Sequence, residues 1–97
     1  MLTSKQRAHL RAMANDLNTI FQIGKSDIGE NLIEQVKGAL ATRELIKLRV
    51  LETSEYSAKE AAAEIAEATD SEVVQVIGRK IVLYRQARDP KKRTIRP

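Results

Sequence analysis

Three short signatures divide this chain and do most to constrain its fold. Thr3 with Gln6, Asp27 with Glu30, and Ser57 with Glu60 each set a short oxygen-bearing side chain three residues before a Glu or Gln. At that spacing the two residues satisfy each other's otherwise orphaned amides at a helix start. Each signature is followed by apolar residues at helical intervals, and each helical stretch by a run suited to a strand.

The first helix is predicted over about 4–16, with Leu10, Met13, Ala14 and Leu17 on one face. Thr19–Ile23 is β-branched and aromatic and reads as a strand. Gly24-Lys25-Ser26-Asp27 is a turn, with Asp27 as N-cap of a second helix whose apolar face is Ile28, Leu32, Val36, Ala39 and Leu40. In Leu45–Leu51, Ile46, Leu48 and Val50 alternate with Lys47 and Arg49, the pattern of a strand with one buried and one wet face. Helix three is lined by Ala61, Ala62, Ile65, Ala66 and Thr69, its acids facing solvent. Val73–Ile77 and Ile81–Tyr84, separated by Gly78-Arg79-Lys80, form a hairpin. The order α-β-α-β-α-β-β makes the first three strands run parallel and the last antiparallel. The expectation is an α/β two-layer sandwich with a four-stranded mixed sheet.

A chain of 97 residues suits one domain with a modest core. It has no cysteine and one histidine, His9, so neither a disulfide framework nor a thiolate metal site is expected, and no cofactor. The N-terminus lacks the apolar run of a signal peptide and no stretch approaches a membrane span. The cytoplasm is the default location.

Charge distribution says more than the net charge of +4. Arg88, Lys91, Lys92, Arg93 and Arg96 exceed Asp89 by four in the last ten residues, which is the whole excess. Those residues, with Pro90 and Pro97, read as a basic, flexible tail over 87–97. From Glu52 to Glu72 there are seven acids against Lys59 alone. Segregated charge of this kind suits a polyanion partner.

The Gly24-Lys25-Ser26-Asp27 junction carries the sharpest chemistry. Amides at a helix start attract anions, Gly24 allows close approach, Lys25 adds charge and Ser26 a hydroxyl donor. A plain strand-to-helix turn is the competing reading. No glycine stands at Thr19, five residues before Gly24, so the loop is not a nucleotide-triphosphate cradle. Lys5, Arg7 and Arg11 in helix one are either phosphate contacts or a solvated face. Lys47, Arg49, Arg79, Lys80 and Arg85 are either an electrostatic footprint or edge protection. Phe21, Tyr56 and Tyr84 are the only aromatics, too few for a base-stacking platform. No acid–base pair, nucleophile or metal cluster suggests an enzyme.

Four blocks carry a resemblance to a known family: Leu2-Thr3-Ser4-Lys5-Gln6-Arg7, Ile23-Gly24-Lys25-Ser26, Glu44 through Val50, and Val76 through Arg85. In this order they resemble the CRM-domain family and its bacterial single-domain YhbY-like members, over about residues 2–86. The resemblance implies a fold similar to the C-terminal domain of translation initiation factor three. It implies RNA binding, with ribosomal RNA or precursors of the large ribosomal subunit as partner. It also implies a KH-like G-x-x-G loop, whose first three positions are matched by Gly24, Lys25 and Ser26, with Asp27 where the second Gly usually stands. The expectation is a monomeric, non-enzymatic RNA-binding domain over 1–86, taking no membrane and no small-molecule substrate. The alternative is a protein-interaction module that docks a ribosomal or assembly protein on the acidic face of helix three.

Overall fold

A computed structural model of the chain describes residues 2–24, 28–93 and Ile95. The elements are α1 (Ser4–Ala14), β1 (Thr19–Ile23), α2 (Glu30–Arg43), β2 (Leu45–Val50), α3 (Ala58–Thr69), β3 (Glu72–Ile77), β4 (Lys80–Tyr84) and a short 3-10 helix, Pro90–Lys92. The sheet order is β1-β2-β4-β3. β1 and β2 are parallel, and β4 is antiparallel to both β2 and β3. The first three strands therefore share a direction, and the last lies between two of them.

Two of the three capping signatures start helices. Thr3 and Gln6 exchange hydrogen bonds of 2.9 and 3.1 Å, and Ser57 and Glu60 of 3.0 and 3.1 Å. The middle one does not. Gly29 is the N-cap of α2 without a side-chain bond, and its carbonyl accepts the first helical bond from Ile33 N–H at 3.1 Å. An Asp27 cap would start the helix at residue 28, two residues too early. Glycine is an acceptable cap because it leaves these amides open to water. Helix one stops at Ala14, so Leu17 leaves its face and, like Met13, is exposed.

The main core lies between the sheet and α2 and α3, giving the two layers of the sandwich. Ile46, Leu48 and Val50 from β2 and Ile81 and Leu83 from β4 meet Val36 and Leu40 of α2 and the alanine-rich face of α3. All five residues expected on that face of α3 are buried. The opposite face of the sheet is covered as well. Leu45, Val74, Val82 and Tyr84 pack there against Leu10 and Ala14 of α1. Strand β2 is thus buried on both faces at its start and wet on one face further along.

Beyond Arg85 the structure differs from the expected patternless tail. Ala87 is buried, and Ile95 packs against the α1 cluster. Glu44 holds both. Its carboxylate accepts hydrogen bonds from Ala87 N–H at 2.8 Å and Ile95 N–H at 3.1 Å, and its carbonyl accepts one from Arg85 N–H at 2.9 Å. Arg93 Nε donates to the Ala87 carbonyl at 2.7 Å. Composition and charge missed this because the partner lies some forty residues upstream.

Candidate nucleic-acid interface

The topology brings three chain segments to one end of the sheet. β1, β2 and β3 all finish there, and β4 begins there. Gly24 follows Ile23, whose carbonyl accepts a hydrogen bond from Leu51 N–H at 2.9 Å. The hairpin turn is tied to the same place by Val50 N–H, which donates to the Arg79 carbonyl at 2.7 Å. Arg49 lies opposite Lys80 across the β2–β4 ladder. Gly24, Arg49, Arg79 and Lys80 therefore gather at one end. Arg49, Arg79 and Lys80 are exposed, and none has a carboxylate partner among the described residues. Glu52, in the loop leaving β2, also lies there.

The two glycines at this end differ in kind. Gly78 has φ +57°, a conformation that other L-residues adopt at a cost, and it makes the tight hairpin turn. Gly24 has no such φ, and a Cβ there would meet only Leu51 Cδ1 at an ordinary 3.8 Å. Packing does not require glycine at position 24.

The other candidates are spread more widely. Lys25, Ser26 and Asp27 lie outside the described residues, between Gly24 and Gly29. Lys47 is half-buried and one step further from the hairpin tip than Arg49, on the α1 face of β2. Lys5 and Arg11 are exposed on α1. Arg7 donates from its guanidinium to the Val73 carbonyl and so fastens α1 to β3. Arg85 is half-buried at the opposite end of β4. The aromatics are engaged in the fold: Phe21 and Tyr56 pack against the main core and Tyr84 is buried under α1. Burial pushes the Tyr84 hydroxyl above its ordinary pKa, the charge of Glu44 adds to this, and Arg93 works against it.

Glu44 is the residue that sequence reasoning passed over. It is fully buried and alone makes the turn from α2 to β2, at φ 63° and ψ −42°. A glutamate where one residue must reverse the chain, a place that favours glycine, is the signal that was available.

Three kinds of comparison place the chain among known proteins. A Bacillus subtilis protein named as the probable RNA-binding protein YqeI is 42% identical over 91 residues, 94% of this chain and 95% of its own length. A Haemophilus influenzae RNA-binding protein is 30% identical over 90 residues, 93% of this chain and 91% of that one. The solution structure of a Staphylococcus aureus protein, described as a candidate RNA binder, superposes with a TM-score of 0.79 at 47% identity, covering 99% of this chain and all of that one. Residues 2–85 match the model of the CRS1 / YhbY (CRM) domain, and the chain belongs to that family.

Proposed function

We propose that this protein binds structured RNA through its phosphate backbone, using the end of the sheet where Gly24, Arg49, Arg79 and Lys80 meet. The observation that carries the reading is that gathering of unpaired cations beside a glycine the fold does not need. A glycine kept without a packing reason suits the close approach of a phosphate to backbone amides. In this reading Lys25 pairs with the phosphate and Ser26 donates a hydrogen bond. Asp27 follows them in the second-glycine position, and the N-cap of α2 is Gly29. Lys47, Lys5 and Arg11 extend the electrostatic footprint. The names of the relatives support RNA as the polyanion. Engagement of all three aromatics in the fold favours backbone and shape over base stacking. The family resemblance favours ribosomal RNA within precursors of the large subunit, with the protein acting as a cytoplasmic monomer and catalysing nothing itself. No helix among the described residues is long and apolar enough to cross a membrane.

A filter-binding salt series tests the reading. Affinity falls linearly on logarithmic axes as salt rises, and Lys25→Ala lowers it alike for many RNAs while reducing the slope by about 1. A flat salt response, or unchanged binding of every RNA by Lys25→Ala, refutes it.

The exposed acids of α3 favour a second reading, in which that face docks a basic ribosomal protein. Glu60 is a poor probe because its carboxylate caps the helix. Glu64→Lys with Glu67→Lys is the cleaner variant. Loss of particle association with RNA binding retained selects this second reading.

A further inference from the structure

The cation excess of the chain sits in a segment that the fold takes unusual trouble to hold. Glu44 is fully buried, has a positive φ without being glycine, and directs its carboxylate at two amides of the C-terminal segment. A buried carboxylate is costly unless its lone pairs are filled, and strain of this kind persists where the surroundings enforce it. Its partners are Ala87 and Ile95, which bracket Arg88, Lys91 and Arg93. All three cations are exposed; Asp89, also exposed and on the wall of the adjoining groove, accepts a hydrogen bond from Lys91 N–H at 3.0 Å and caps the short 3-10 helix. Between this strap and α2 lies a groove of about 580 Å³. Lys37, Arg85 and Arg88 stand on its walls, and Gly38, with nothing within 4 Å of a Cβ position, leaves its floor open. Glu34 pairs with Lys37 at 3.7 Å, while Arg85 and Arg88 have no carboxylate partner among the described residues.

We propose that the strap of residues 85–93 and the adjoining groove on α2 form a second, preformed RNA contact surface, with Glu44 as its positioning residue. The proposal rests on the RNA reading above and adds a second place where the polymer is held. The strap begins at the far end of β4 from the hairpin tip, about 14 Å away at roughly 3.4 Å per residue. The two surfaces therefore grip separate phosphates of one RNA. Because the strap is already held in place, its cations bind without the ordering cost that a free tail would bear.

The test uses the full chain and two synthetic RNA duplexes, one shorter than the roughly 14 Å that separates the two surfaces and one exceeding the 37 Å long axis of the protein. Arg88→Ala with Lys91→Ala leaves the thermal transition in place and reduces the salt slope by about 2 on the long duplex, against little change on the short one. Lys25→Ala reduces the slope on both. Glu44→Gln keeps the side-chain volume but sets an amide against one of two N–H donors. It speeds hydrogen exchange at Ala87 and Ile95 and reduces the long-duplex slope. An unchanged long-duplex slope in the Arg88/Lys91 variant, with Lys25→Ala still impaired, overturns the second surface and leaves the first standing. Unchanged slopes in both overturn the RNA reading and this proposal with it. Faster exchange in Glu44→Gln at an unchanged slope overturns the positioning role.

Discussion

The two ends of the sheet handle charge in opposite ways. Where β1, β2 and β3 finish, cations stand in solvent without a carboxylate partner among the described residues, beside a glycine that packing does not require. Where β4 finishes, a carboxylate is fully buried, filled by backbone amides, and carried on a backbone bent into a conformation that glycine would adopt more easily. One end presents charge and holds little strain outside Gly78. The other spends a charge and a strained residue on architecture. In a small domain, polar residues that look alike in sequence are thus divided between display to solvent and construction by where the strands begin and end.

Glu44→Ala breaks this contrast most severely. It leaves one buried and one part-buried amide without this acceptor and keeps the unfavourable φ, and is expected to cost about 3 kcal/mol in denaturant unfolding. Glu44→Gly recovers about 1 kcal/mol of that by relieving the backbone. Equal losses in the two variants would show that strain at this residue is small.

The glycine pair sharpens the contrast at the other end. Gly78→Ala should cost about 1–2 kcal/mol because of its positive φ. Gly24→Ala should leave stability unchanged or raise it by about 0.5 kcal/mol, since alanine restricts the unfolded chain, while weakening RNA binding. A destabilised, binding-competent Gly24→Ala would reverse the roles assigned to the two positions.

Ser57→Ala removes the cap of α3, which starts near the open end, and should cost about 1 kcal/mol. The hydrogen bonds from the Ser57 amide and then its hydroxyl hold the Glu60 carboxyl below its ordinary 4.5, outweighing a small opposing effect of burial. That contribution is present above pH 4.5 and is lost as pH falls toward the lowered value. Ser57→Ala keeps the amide and removes the hydroxyl, so it should flatten the acid limb of the stability curve only in part.

The smallest effect is expected at Tyr84. Its hydroxyl is buried without a hydrogen-bond partner among the described residues, and its pKa lies above the ordinary 10.0. The neutral phenol is favoured by folding, so its contribution is complete below pH 10 and fades as pH rises toward the raised value. Tyr84→Phe should match the parent at neutral pH within about 1 kcal/mol and lack this alkaline loss in thermal melts.

Much of the architecture was legible because it is local. Strand β1 and the buried face of α3 follow from spacing alone, and two capping boxes from residues three apart. The direction of the strands follows from the helices between them. What could not be read depends on distant partners. Alternation along β2 identified Ile46, Leu48 and Val50, but nothing near Leu45 announced that α1 would cover its other face. Asp27 and Glu30 matched a capping pattern as well as the other pairs did, yet the chain placed its cap at Gly29. Ala87 and Ile95 are lone apolar residues among charges, and only the Glu44 carboxylate gives them a place. Of the interface, the loop and hairpin were visible as motifs. Their meeting with Arg49 at one end required the sheet order, and the separation of Arg85 from them required the register.

The position of β4 has a consequence for when the domain can exist. The last strand among the described residues lies inside the sheet, between β2 and β3. Until residues 80–84 have emerged, β3 has no neighbour to pair with, and Leu10 and Ala14 wait for Val82 and Tyr84 to complete their side of the core. The growing chain can form helices and the β1–β2 pair early, but the cooperative unit closes only once residues 80–84 are available. Contacts that join the first helix to the last strand close long loops, which slows folding. The two ends of the sheet are therefore completed together, when β4 takes its place between β2 and β3, rather than strand by strand.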